Sequence, residues 1–234
     1  MIKNYLFDLD GTLLPLDEKM FLDLYIKHIG MKFASLGLDA KQMVQKLWAG
    51  TEMMIKNDGS SSNEDVFWRL FCPEKDQQKQ LKMSLTTFYE NEFMNVKSST
   101  NPSQYAIKII NHLKKMNKNI YLLTNPIFPE IATRQRIKWA GLKFEDFNHV
   151  TTYENSFYAK PNLDYYRSII EKFNLKPEET MMVGNDVNED MIAEKLGFET
   201  YLILNCLKNP KYLDISKFKK GKLKDFYQYI LEQY

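Results

Sequence analysis

The stretch Leu6-Phe7-Asp8-Leu9-Asp10-Gly11-Thr12-Leu13-Leu14 hangs two carboxylates, two residues apart, on the end of a short apolar run. Ile2 and Tyr5 to Phe7 are apolar with β-branched or aromatic members and read as a strand; Gly11 closes the run with a residue that tolerates positive φ. Asp8 and Asp10 therefore leave the sheet at its carboxyl end, where open α/β sheets bind ligands, and they share one side of an extended backbone. Like charges so placed repel. A divalent cation, a proton on one carboxyl, or both must offset the repulsion, unless the pair is only a solvated acidic turn after an edge strand.

Downstream, the pattern changes twice. From Leu16 to Val96 apolar residues recur at helical spacing: Phe21, Leu24, Tyr25, His28 and Ile29; then Met43, Leu47 and Met54; then Val66, Phe67, Leu70 and Phe71; then Leu81, Leu85, Phe88, Tyr89 and Phe93. These stripes predict a small bundle, with Asn57 to Asn63 as a loop that has nothing to bury. Trp48, Met53, Met54, Trp68 and Phe71 read as bundle core before they read as a pocket lining. From Pro102 the chain alternates helix and strand, with strands at Ile120 to Leu123, near His149 to Thr152, at Thr180 to Val183 and at Thr200 to Leu204. A helix is expected from Asn188 to Leu196, stopped by Gly197. Such alternation predicts an α/β fold, a parallel sheet with helices on both faces. The first strand must join that sheet, so residues 1–15 and 97–234 form an α/β core and residues 16–96 an inserted helical domain.

Three later strand ends bring chemistry to the same rim. Thr124-Asn125 follows one strand and is cut off by Pro126; Lys160-Pro161 follows the weak strand; Gly184-Asn185-Asp186 follows another, with Asp190 four residues beyond Asp186. The order and content of these segments resemble the haloacid dehalogenase-like hydrolase superfamily, in its phosphatase branch with a helical cap inserted after the first motif. The resemblance rests chiefly on Asp8-Leu9-Asp10-Gly11-Thr12 and extends to about Asn205. It implies a Rossmann-like core, Asp8 as the nucleophile and Asp10 as the general acid and base. It further implies that Thr124 and Asn125 bind the phosphoryl group, that Lys160 steadies its charge, and that Asp8, Asp10, Asp186 and Asp190 hold Mg2+. Asn185 stands where the family more often carries an acid, so Asp186, with its spacing to Asp190, takes the ligand role.

Electrostatics supports that expectation. A phosphate ester approaching four carboxylates needs a hard cation with oxygen ligands, and Lys160 adds a compact positive charge. The function so implied is a Mg2+-dependent phosphohydrolase acting on a small phosphorylated metabolite, with a phosphosugar mutase or a non-enzymatic phospho-ligand binder or receiver as alternatives. Dehalogenases of the superfamily lack the second aspartate, which is present here as Asp10.

Composition sets the outer limits. The 234 residues are 44% hydrophobic and 26% charged, and 32 basic against 30 acidic side chains leave a net charge of +2, without a nucleic-acid footprint. The lysine-rich stretch from Lys208 to Lys224 reads as a solvated connector to a terminal helix. Cys72 and Cys206, far apart, suggest neither disulfide framework nor zinc site. No run has membrane-spanning length and the first residues do not read as a signal peptide, so a cytoplasmic monomer or homodimer is expected.

Overall fold

The computed structural model describes residues 1–233. Its centre is β1 (Asn4–Phe7), whose four residues are all buried. Tyr5 and Phe7 face one side of the sheet and Leu6 the other, so one alternating tetrapeptide feeds two cores. Five further strands run parallel to it: β2 (Asn119–Leu122), β3 (His149–Val150), β4 (Thr180–Gly184), β5 (Glu199–Ile203) and β6 (Lys219–Gly221). Their order, β3-β2-β1-β4-β5-β6, reverses direction at β1. The crevice beyond the carboxyl ends of β1 and β4 is thus a topological switch point, the usual ligand position in such sheets.

Between β1 and β2 lie α1 (Glu18–Ser35), α2 (Ala40–Ile55), α3 (Asn63–Phe71), α4 (Lys75–Glu90), a 3-10 segment from Glu92 to Ser99, and α5 (Gln104–Lys115). The early helices start at side-chain caps: Met20 N–H donates to Asp17, Gln42 N–H to Asp39 and Asp65 N–H to Ser62. The chain leaves and re-enters the sheet layer side by side, with Asp17 N–H donating to Ser99 O (2.9 Å) and Asn101 N–H to Pro15 O (2.7 Å). Then follow α6 (Glu130–Trp139), α7 (Leu163–Phe173) and α8 (Leu223–Gln233). α5 and α8 cover one face of the sheet through Ile109, Leu113, Phe226 and Ile230; α7 covers the other through Tyr165, Tyr166 and Ile169.

Four expectations are corrected. The loop 57–63 is not free: Asn57 and Asn63 are buried, Asn63 Nδ2 donates to Pro126 O (3.1 Å) and Tyr158 O (3.2 Å), and Asn57 Nδ2 donates to Asn63 Oδ1 (2.8 Å). Burial of carboxamides, rather than of apolar groups, orders it. No α-helix starts at Asn188; the chain turns from Asp186 to Asp190 and runs on as a 3-10 helix from Met191 to Leu196. There the Asp186 carboxylate accepts from Asn188 and Glu189 N–H, tightening the turn. The lysine-rich stretch contains β6, whose ladder to β5 depends on backbone pairing that charged side chains do not forbid. Trp48 and Met53, expected in the bundle core, are 45% and 44% exposed, whereas Met54, Trp68 and Phe71 are buried.

Candidate active site

Asp8 N–H donates to Val183 O (2.9 Å), carrying the β1–β4 ladder one residue past the strand and fixing where the Asp8 carboxylate emerges. Gly11 then turns the chain at φ +86°; a Cβ there would lie 2.3 Å from Asn185 Nδ2, so only glycine fits. The Thr12 hydroxyl donates to Asn185 Oδ1 (2.9 Å) and lies 3.3 Å from Asp8 Oδ2. Asn185, held also through Nδ2 to Cys206 O (2.7 Å), is therefore a strut between the β1 and β4 ends.

Lys160 is 1% exposed and lies between two carboxylates, donating to Asp8 Oδ1 at 3.0 Å and to Asp190 Oδ1 at 2.6 Å. Burial opposes its charge, but Asp190 and Asp8 outweigh that and hold its pKa well above the ordinary lysine value. Asp190 has its second oxygen on Asp186 N–H (3.0 Å) and nests over Gly184, where a Cβ would meet Asp190 Oδ2 at 2.1 Å. Asp186 directs Oδ1 to the backbone of its own turn and Oδ2 toward Lys208 at 3.5 Å. Asn125 accepts from Lys160 N–H (3.3 Å) and donates to Glu189 (3.2 Å), and Thr124 is buried with its carbonyl tied to Thr151 and Tyr165.

The structure thus brings Asp8, Asp10, Thr124, Asn125, Asp186 and Asp190 to one cavity of about 860 Å³, with the Lys160 ammonium bonded to Asp8 in its floor. Two further cations paired with or facing these carboxylates escaped the reading of the sequence. Arg136 of α6 is fully buried and donates from Nη1 to Asp10 Oδ2. An arginine three or four residues from Ala132 and Thr133 lies on their face of the helix, and that placement was the available signal. Lys208 pairs with Glu18 (2.8 Å) and faces Asp186; nothing distinguishes it from its neighbouring lysines in the sequence. Burial pushes the Asp10 carboxyl up, Arg136 pulls it down and Asp8 adds to the rise, with a net upward shift.

Among the described residues no three acidic, His or Cys side chains converge as a ready cage for a metal. The donor set is nevertheless all oxygen, and Asp10 Oδ1 is buried without a partner, an orphan that a hard cation or a proton would satisfy. Mg2+ commonly takes only one or two protein carboxylates and completes its shell with water and phosphate oxygens, so the residues fit such an ion.

Comparisons with known proteins place the chain by family and by fold. A family model described as haloacid dehalogenase-like hydrolase matches residues 2–195. A glyceraldehyde 3-phosphate phosphatase from Methanocaldococcus jannaschii is 28% identical over 87% of this chain and 86% of its own. The fold is shared with an HAD phosphatase from Thermococcus onnurineus, at a TM-score of 0.59, 17% identity and 98% coverage of both chains. It is shared also with an HAD family enzyme from Bacteroides thetaiotaomicron in complex with magnesium and inorganic phosphate, at a TM-score of 0.54, 20% identity and 92% and 98% coverage. With the sequence likeness running from β1 through the Asp190 turn and the fold likeness running over nearly the whole chain, this protein belongs to the haloacid dehalogenase-like hydrolases.

Proposed function

We propose that the protein is a phosphatase that hydrolyses small phosphate monoesters through a phosphoaspartyl intermediate on Asp8. The observation that carries this reading is the Asp8 carboxylate at the cavity floor, with the buried Lys160 ammonium on Oδ1 and with Oδ2, 3.3 Å from the Thr12 hydroxyl, as the oxygen that attacks phosphorus. Asp8 Oδ2 forms the new bond to phosphorus as the ester P–O bond breaks, and Asp10 gives its proton to the departing alcohol oxygen. Water then attacks the acyl phosphate, returns a proton to Asp10 and releases inorganic phosphate with Asp8 restored. Thr124 and Asn125 orient the phosphoryl oxygens, Lys160 offsets the charge that builds on them, and Asp190, with both oxygens engaged, positions Lys160.

Mg2+, held by Asp8, Asp10 and Asp186, would neutralise the phosphate against these carboxylates; Asp190, which the resemblance implies as a fourth metal residue, is assigned instead to Lys160 because its oxygens are on Lys160 and Asp186 N–H. The magnesium and phosphate complex of the Bacteroides thetaiotaomicron enzyme and the phosphatase activity named for the Methanocaldococcus jannaschii relative support the reading. Residues 16–96 act in it as the cap that excludes water from the acyl phosphate, and residues 1–15 with 97–234 as the catalytic core. Two free thiols, Cys72 and Cys206, suit a reducing compartment such as the cytoplasm; no described helix is long and apolar enough to cross a membrane.

The test is phosphate release from a panel of phosphomonoesters with Mg2+ present and after EDTA. Asp8→Asn should lower turnover at least a thousandfold while circular dichroism stays unchanged. Turnover retained by Asp8→Asn would overturn the covalent mechanism, and activity indifferent to EDTA would overturn the metal.

A further inference from the structure

The cavity is built unequally. At its floor stand the carboxylates of the strand ends; above them α1, α2 and α3 contribute Leu22, Trp48, Ile55 and Phe67, and Phe128 enters from the core. Leu22, Trp48 and Ile55 are 39%, 45% and 40% exposed, so they are not used as bundle core and instead present apolar surface at the cavity wall.

Many polar groups of this upper part already have partners within the protein. Thr51 and Thr86 donate their hydroxyls to Leu47 O and Lys82 O within their own helices, each at 2.9 Å. The Tyr25 and Tyr89 hydroxyls bond to each other at 2.9 Å, and Tyr153 accepts from Trp68 Nε1 at 3.3 Å. Each lining cation is paired as well: Lys82 with Glu64, Arg134 with Glu130, Arg136 with Asp10 and Lys208 with Glu18. A second phosphate or a carboxylate on the substrate would have to compete with those acids for each cation, and Glu154 on the same lining adds further negative charge; along the wall of Leu22, Trp48 and Ile55, sugar hydroxyls would lose water without gaining partners. A cavity of about 860 Å³ is also of the size that encloses drug-sized ligands, and a three-carbon phosphate would leave most of it to water.

We infer that the preferred substrate is a phosphate monoester of a bulky, uncharged, largely apolar alcohol, its phosphate on Asp8 and its apolar body against Leu22, Trp48, Ile55 and Phe128. The inference rests on the phosphatase reading for the position of the phosphate and extends it to the leaving group. It sets this chain apart from a triose phosphatase, despite the relative that carries that name.

The experiment compares kcat/KM with Mg2+ for ethyl, butyl, hexyl and 2-phenylethyl phosphate, whose alcohols are similar leaving groups, against glyceraldehyde 3-phosphate. The expected result is a rise of about fourfold per added methylene, with hexyl and 2-phenylethyl phosphate at least tenfold above the triose phosphate. Trp48→Ala should lower the value for 2-phenylethyl phosphate about tenfold more than that for ethyl phosphate. A flat series, or preference for the triose phosphate, would overturn the inference and leave the phosphatase reading in place. If no ester is hydrolysed, the phosphatase reading falls and a second measurement decides the inference: tryptophan fluorescence titrated with 2-phenylethylphosphonate and with ethylphosphonate. Binding at least tenfold tighter for the larger phosphonate would uphold the apolar site, and equal binding would overturn it.

Discussion

Arg136 shows how a single side chain is committed to the site. Its guanidinium is held from behind by Ala132 O (3.4 Å), by Thr133 Oγ1 (3.2 Å) and by the Phe128 ring 4.5 Å below it, so Nη1 points at Asp10 without freedom to turn away. Removing it strips a half-buried carboxylate of its partner. Arg136→Met should therefore cost about 3 kcal/mol in urea unfolding, the low end for a broken buried pair because Asp10 keeps one edge open to the cavity. Arg136→Lys should not restore the loss, since an ammonium cannot reproduce the planar fork or its stacking on Phe128. Unchanged stability in Arg136→Met would show the pair to be incidental. The first motif was legible because its residues touch neighbours in sequence and end a strand. Arg136 and Lys208 were not, because their partners Asp10 and Glu18 lie far off in the chain and only the closed sheet brings them together.

Elements defined by their own periodicity were readable, and those defined by tertiary partners were not. β1, β2, β4 and β5 fell within a residue or so of the expected runs, while β3 is only His149 and Val150, and β6 hides in a lysine-rich stretch. The short β3 has a pH consequence. The His149 ring packs on Phe173 of α7 at 5.0 Å, and burial, aided by Lys172, lowers its pKa from 6.5 to about 4. Because the folded-state pKa is depressed, the neutral ring's contribution to stability is complete above about pH 6.5 and is lost as the pH falls toward about 4. The full linkage would be about 3.5 kcal/mol at about 1.4 kcal/mol per unit, and partial exposure of the ring reduces it to about 1–2 kcal/mol. Denaturation midpoints between pH 7 and pH 4 should therefore fall further for the wild type than for His149→Gln; parallel curves would refute the assignment.

At the scale of the molecule, the apolar cluster that fills the helical segment continues without a break into one face of the sheet, from Phe33 and Phe71 through Phe93 and Trp139 to Phe7 and Phe226. Asn63 adds hydrogen bonds across the same boundary. We expect one cooperative unfolding transition, with tryptophan fluorescence, which reports Trp48, Trp68 and Trp139, coinciding with far-ultraviolet circular dichroism. Two separated transitions would mean that the helical segment is a stability unit of its own.

The edge formed by β5, β6 and α8 lies beyond residue 195, where the family likeness stops. A chain truncated there would lack the partner strand of β4, the Phe226 ring that meets Phe7 at 5.9 Å, and the ammonium beside Asp186. Residues 196–233, unremarkable in motif content, are in this sense the buttress of the wall that carries Asp8 and Asp186, and the folded unit is longer than its recognisable signature.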